Sequence, residues 1–270
     1  MEQLYIIKIG GNIIDDSIKL AAFIKQFSEL FGENSQHPFM GRALLVHGGG
    51  KLATKLSKEL NIEQQLIDGR RITDSETLKI VTMVYAGYIN KNIVALLQAN
   101  NCNAIGISGA DGNAIKAHKR PLKNGIDYGF VGDVDEVNIS FIQNLLQQKT
   151  SIVLAPITIN DKGQLLNTNA DTIAQEVAKA MSTLYNVTLI YSFEKPGVLL
   201  DVTNESSVIK SIHPELYAQL KEEKKIFEGM IPKLDNAFEA LQNGVNKVII
   251  GKAEELKNLI EEKSGTSIIQ

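Results

Sequence analysis

The strongest constraint on this chain is an alternation of two patterns. Short apolar runs at residues 4–9, 43–47, 104–107, 152–157, 187–191 and 247–250 are separated by longer stretches of helical period. The helical stretches cover 17–31, 51–60, 75–99, 140–147, 172–181, 232–242 and 253–263. Strands alternating with helices predict an α/β fold, with a largely parallel sheet covered on both faces. Residues 114–138 depart from this: they alternate polar and apolar, are rich in turn residues, and read as a β-hairpin excursion beside the main sheet. The stretch 75–99 is long for a globular helix, and Leu78, Val81, Val84, Ile89, Ile93, Leu96 and Leu97 give it a broad apolar face. Such a helix crosses the core or packs on a second subunit.

A chain of 270 residues, 44% of them hydrophobic, can build one large domain or two closely joined lobes. No repeat or long Pro/Gly/Ser linker appears, so the boundary is soft, and we place it near residue 175. That gives an N-terminal lobe of residues 1–175 and a C-terminal lobe of 176–270. Residues 32–41, GENSQHPFMG, look like a surface insertion. A net charge of -3 provides no basic field for nucleic acid. No apolar run approaches the ~18 residues of a membrane span. The sequence enters a strand-like run at once, with no basic leader, and a cytoplasmic protein is the expectation. Cys102, the single cysteine, rules out an intramolecular disulfide framework and a cysteine-based zinc cluster, and reads as a buried inert thiol.

The stretch IIKIGGN, residues 6–12, sets Lys8 among core-type residues with Gly10 and Gly11 just after it. An unpaired buried ammonium costs several kcal/mol, so Lys8 needs an anion, from the protein or from a ligand. Glycine clusters also follow two other strand ends, as HGGG (47–50) and GISGADGN (106–113). In open α/β sheets ligands bind beyond the carboxyl ends of strands, where glycine lets the backbone approach a phosphate. HGGG followed by Lys51 at a helix start suggests an anion there. The familiar nucleotide signatures are missing: GGGKLAT lacks the P-loop's upstream glycine and its Ser/Thr after lysine, and no GxGxxG follows a strand.

Three polar stretches add to this. DGRRIT (68–73) places Arg70 and Arg71 before the long helix, either to bind a carboxylate bidentately or as a solvated pair. LLNTNADTIA (165–174) puts Asn167, Asn169 and Asp171 at alternate positions before a helix; capping accounts for Asn169 or Asp171 but not for all three. EGMIPKLDNA (228–237) starts a helix with Pro232 and Lys233, and a lysine at a positively polarised helix start is a candidate for an anion site.

Together IIKIGGN, LLVHGGGK, DGRRIT, GISGADGN, GFVGDVDEVN, GQLLNTNAD, GMIPKLDNA and the terminal GTSI resemble the acetylglutamate kinases of the amino-acid kinase family, in the family's order and over residues 6–268. The resemblance implies a three-layer αβα sandwich around an open, mainly parallel, eight-stranded sheet. It implies an N-terminal lobe for the acylated amino acid and dimerisation, and a C-terminal lobe for ATP, with Mg²⁺ carried by the nucleotide and no protein metal site. Carried over motif by motif, Lys8 and Lys233 contact the transferring phosphoryl group, and Asp171 accepts from both lysines and fixes them. Gly10 and Gly11 offer N–H groups to the phosphates. Gly48 and Gly49 hold the acyl-amino acid, Arg71 binds its α-carboxylate, and Asn167 hydrogen-bonds the same substrate.

The implied nucleophile, a γ-carboxylate with a reference pKa of ~4.3, is ionised at neutral pH and needs no general base. One run departs from the family: YSFEKPGVLL (191–200) lacks the usual aspartate and carries one additional residue, leaving Glu194 and Lys195 as possible substitutes. The family's arginine-inhibited hexamers carry an additional helix ahead of the first strand, and about three residues precede that strand here, so the resemblance implies a homodimer insensitive to arginine, with helix 75–99 across its two-fold axis. An N-succinyl in place of an N-acetyl group would need an additional cation, from Arg70 or Lys51. A non-catalytic ligand sensor would have lost a lysine or the aspartate, and all three are present. Another small-acid kinase of the same fold is the third alternative.

Overall fold

The computed structural model describes residues 1–33, 35, 41–67, 70–122, 125–226 and 230–270, with residue 70 described for its backbone alone. Most of the expected insertion at 32–41, Asp68 and Gly69 of DGRRIT, the Arg70 side chain, and Glu228 and Gly229 therefore lie outside the described residues.

In chain order the strands are β1 (Gln3–Ile9), β2 (Arg42–His47), β3 (Leu66–Ile67), β4 (Arg70–Arg71), β5 (Ala104–Ile107), β6 (Ile115–Lys119) and β7 (Gly132–Val137). They continue as β8 (Ser151–Leu154), β9 (Ile157–Ile159), β10 (Leu165–Asn167), β11 (Asn186–Phe193), β12 (Ser211–Ile212), β13 (Lys247–Lys252) and β14 (Thr266–Ile268). The helices are α1 (Gly11–Ile14), α2 (Ser17–Phe31), α3 (Gly50–Glu59), α4 (Ser75–Thr82) and α5 (Asn90–Ala99). After them come α6 (Ile139–Gln147), α7 (Ala170–Met181), α8 (Pro214–Glu222), α9 (Ile231–Gln242) and α10 (Leu256–Ile260).

The fold is α/β with three layers. Its central eight-stranded sheet runs β12-β14-β13-β11-β1-β2-β8-β5. The pairings are parallel except that between β13 and β14, so β14 and β12 run against the other six strands. The pairing of β1 with β11 joins a half built from residues 3–154 to a half built from residues 186–268.

Strand alternation divides the core. Leu4 and Ile6 of β1 and Leu44 and Val46 of β2 pack with α6, α7 and α9 through Ile142, Val177 and Leu234. Ile7 and Ile9, with Ala43 and Leu45, face the opposite layer of α2, α4 and α5 through Phe23, Phe27, Val81 and Ile93. Because side chains alternate every residue, Lys8 shares the face of Leu4 and Ile6 and points toward α7 and α9. His47 shares the face of Ala43 and Leu45 and points toward α5.

Three expectations change on inspection. The run 152–157 is two strands in different sheets: β8 ends before Pro156, which has no N–H for a ladder, and β9 pairs with β10 and β6. The hairpin at 114–138 is real, as β6 antiparallel to β7, but it does not stand alone. It forms a four-stranded sheet in the order β10-β9-β6-β7. The helix over 75–99 is continuous but widens in its middle into a π-helical turn, Met83–Ile89. By length and composition Ser75–Ala99 could cross a membrane; here Val81, Ile89, Ile93 and Leu97 are buried in the core.

Among the described residues the fold buries one imidazole completely: His47 has no exposed surface. Burial pushes it down to about 4, against a smaller upward pull from its hydrogen bond to Gly48. The unfolded chain, with histidine near ~6.5, binds the proton more readily, so this group subtracts stability as pH falls from about 6.5 toward 4. Between pH 7 and 5 the wild type should lose about 2 kcal/mol more than His47→Gln in urea unfolding. Equal losses would mean that folding does not lower the His47 imidazole.

Candidate active site

Three elements converge on one carboxylate. Lys8 comes from β1, Asp171 from the first turn of α7, and Lys233 from the first turn of α9. Lys8 Nζ lies 2.7 Å from Asp171 Oδ1, and Lys233 Nζ lies 2.6 Å from Asp171 Oδ2. The side chains are 13%, 22% and 19% exposed for Lys8, Lys233 and Asp171, so the pairs are shielded but open to a ligand. Asn169 caps α7, accepting from the amides of Asp171 and Thr172 at 2.8 and 3.2 Å. This division of labour leaves Asp171 free to hold the lysines.

Burial alone would raise the Asp171 carboxyl, but the charges of Lys8 and Lys233 hold it well below the usual carboxylate range. Burial, and then the charge of Lys8, draw the Lys233 ammonium down, with Asp171 opposing. The Lys233 ammonium also sits 5.7 Å from the ring centre of Tyr191, whose hydroxyl donates to the Asp171 carbonyl at 3.4 Å. Burial pushes the Tyr191 phenol well above its ordinary value, so it stays protonated.

This cluster borders a cleft of about 970 Å³, a volume suited to small ligands. Gly11, Gly48, Gly49, Arg71 and Asn167 line the same cleft. Gly49 must be glycine: its φ is +150°, and a Cβ there would lie 2.2 Å from Cδ1 of Ile89 in the π-helical turn. Arg71 donates through Nη2 to the Gly50 carbonyl and to Thr54 Oγ1, both at 2.9 Å. Its Nη1 is buried with no hydrogen-bond partner among the described residues. A buried guanidinium N–H without an acceptor is costly unless a ligand supplies one, and a carboxylate fits it best. Asn167 donates to Thr73 Oγ1 at 3.0 Å, which ties β10 to the segment carrying Arg71.

Gly10 is the exception among the expected residues. It is outside the cleft lining, and its N–H donates to the Ser192 carbonyl at 3.2 Å. In this structure that bond holds the β1 end against β11. GISGADGN also stays outside the cleft; Asp111 there accepts from the amide and hydroxyl of Ser108 and shapes the turn into β6. Lys51 lines the cleft and donates to Asn12. Lys195, in the divergent run, pairs with Glu205 at 3.6 Å.

Sequence reading missed Tyr85, Arg120, Tyr128 and Tyr191. The first three line the cleft, and Tyr191 supports Lys233. Arg120 and Tyr128 arrive from the hairpin, with Arg120 bound to Asp133 at 2.5 Å. The hairpin's turn-rich pattern marked it as an excursion but carried no sign of where it would fold.

Residues 3–252 match the model of the Amino acid kinase family, and the chain belongs to that family. At finer grain it is 55% identical over 271 residues to an acetylglutamate kinase of Cytophaga hutchinsonii, covering 100% of this chain and 99% of that one. It is 47% identical over 267 residues to an acetylglutamate kinase of Bacteroides thetaiotaomicron, covering 99% and 98%. Among solved structures, smu.665 from Streptococcus mutans superposes with a TM-score of 0.77 at 27% identity over 99% of both chains. The N-acetylglutamate synthase of Neisseria gonorrhoeae, complexed with coenzyme A and N-acetyl-glutamate, gives 0.81 at 18% identity, over 99% of this chain and 59% of that one. That last likeness is one of fold alone.

Asp171→Asn keeps the shape of the cluster and removes the anion between two ammonium groups. Urea unfolding at neutral pH should show a loss of about 3 kcal/mol, the cost of breaking a buried pair. Inorganic phosphate should restore more stability to the variant than it adds to the wild type. A variant as stable as the wild type would mean that the lysines do not depend on Asp171.

Proposed function

We propose that this chain is an acetylglutamate kinase, transferring the γ-phosphoryl group of ATP to the γ-carboxylate of N-acetyl-L-glutamate in arginine biosynthesis. The observation that carries the reading is the Lys8–Asp171–Lys233 cluster in one cleft with Arg71, whose Nη1 has no acceptor among the described residues. The names of the curated relatives favour the same substrate.

Arg71 binds the α-carboxylate, Asn167 and the Gly48–Gly49 backbone orient the acyl-amino acid, and the γ-carboxylate faces the lysines. One carboxylate oxygen attacks the γ-phosphorus while the bond to the β-phosphate oxygen breaks, giving an acyl phosphate and ADP. No proton moves, because the nucleophile is already an anion. The barrier lies in bringing that anion to a triphosphate, and such transfers are catalysed by alignment and by stabilising spread charge. Lys8 and Lys233 supply the positive charge. Asp171 bridges their ammonium groups and aims them, with one oxygen paired to each. A Mg²⁺ ion would therefore be carried by the nucleotide's phosphates, where it adds charge neutralisation. Residues 176–270 provide the ATP side and residues 1–175 the acyl-amino-acid side, in a cytoplasmic homodimer packed along Ser75–Ala99.

Acyl-phosphate formation trapped as hydroxamate tests this, with N-acetyl-L-glutamate and N-succinyl-L-glutamate side by side. Turnover of the acetyl substrate is expected, with kcat falling about 10²–10³-fold in Lys8→Ala and in Lys233→Ala. Arg71→Lys should raise KM for the acyl-glutamate about 10-fold or more and leave KM for ATP unchanged, since lysine cannot reproduce a bidentate fork. Turnover of the succinyl substrate alone would replace the acyl group in this reading. Turnover of neither, by folded protein that binds ATP, would overturn it.

A further inference from the structure

His47 and Asn90 are fully buried and lie outside the cleft lining, and the mechanism above uses neither. His47 Nδ1 is 2.9 Å from the Gly48 carbonyl, and its Nε2 is 3.3 Å from Nδ2 of Asn90. The same Nδ2 donates to the Val153 carbonyl at 2.9 Å. Both carbonyls can only accept. His47 therefore carries its hydrogen on Nδ1, and Asn90 turns its NH₂ group toward Val153 and Nε2. Asn90 Oδ1 in turn accepts from Lys91 at 3.2 Å. A side chain at position 106 would displace this amide, since a Cβ on Gly106 would stand 2.0 Å from Asn90 Oδ1.

The consequence for the cleft follows from peptide planarity. The Gly48 carbonyl and the Gly49 N–H belong to one trans peptide unit and point in opposite directions. Drawing the carbonyl into the core with His47 turns the Gly49 N–H the other way, on a residue that lines the cleft. Among the described residues no protein acceptor takes that N–H. Ile89, the neighbour of Asn90, closes on Gly49 from the same helix, so the glycine loop is gripped at two successive residues.

We propose that His47 and Asn90 are positioning residues for the acyl-amino acid, fixing the Gly48–Gly49 peptide so that its N–H is aimed at a substrate oxygen. This rests on the reading of the cleft as the acyl-glutamate site. Neither side chain touches substrate; both act through the backbone.

Steady-state kinetics of the full chain test it, with ADP binding and thermal unfolding as checks on folding. His47→Leu fills the space without a donor, and kcat/KM for N-acetyl-L-glutamate should fall roughly 10- to 100-fold while KM for ATP stays within about twofold. His47→Asn places an amide N–H where Nδ1–H stood and should recover most of the loss. Gly106→Ala, which displaces Asn90 and leaves His47 in place, should reproduce it. Folded His47→Leu with wild-type kinetics would overturn the proposal, as would His47→Asn being no better than His47→Leu. Should His47→Leu fail to fold, the Gly106→Ala and His47→Asn pair decides by the same criteria. A wild type that turns over no acyl-glutamate would instead sink the substrate reading, and this proposal with it.

Discussion

Two ammonium groups, one on a central strand and one at the start of a helix, share a single carboxylate, and the rest of the site depends on that sharing. Lys8 belongs to the half built early in the chain and Lys233 to the half built late, and Asp171 opens the helix between them. Bringing two buried cations together without an anion would cost several kcal/mol. With the anion in place, the pair becomes a positive surface held ready at the end of a cleft, which is what a transferring phosphoryl group requires. The same interaction links fold and function, because the carboxylate that makes the cluster stable also sets the direction of its charges.

The sheet makes the arrangement possible through alternation alone. Leu4 and Ile6 face the α7–α9 layer, so the next residue on that face, Lys8, faces it too, and the first turns of α7 and α9 bring Asp171 and Lys233 to meet it. A slip of one residue in β1 would turn Lys8 toward α2 and α5, where apolar side chains await it. On β2 the opposite parity applies. His47 faces α5 and finds Asn90, and the glycine loop that follows is held by groups outside the cleft.

Much of this was legible in the sequence, for stated physical reasons. A lysine amid strand-forming apolar residues demanded an anion, and three polar residues at alternate positions before α7 were more than a cap needs. Asn169 proved to be the cap, leaving Asp171 for the lysines and Asn167 for the cleft. The six longer strands of the central sheet carried their own apolar runs. β12 and β14, at two and three residues, were too short to show a period. The break at Pro156 was visible as a residue, yet its effect, sending β9 to a different sheet, depends on β6, distant in sequence, as well as on the neighbouring β10. Tyr85, Arg120 and Tyr128 were illegible for the same reason: tertiary packing, not local pattern, brings them to the cleft. The same holds for Gly10, whose N–H is taken by Ser192 across a strand pairing.

The central claim is that Lys8 and Lys233 together hold the phosphoryl group in flight. A crystal structure with MgADP, tetrafluoroaluminate and N-acetyl-L-glutamate tests it most directly. The account predicts both Nζ atoms within about 3 Å of the planar fluoride group, with Asp171 still bridging them and Arg71 on the α-carboxylate. An analogue seated away from either lysine, or Asp171 turned from the cluster to bind the metal, would contradict it.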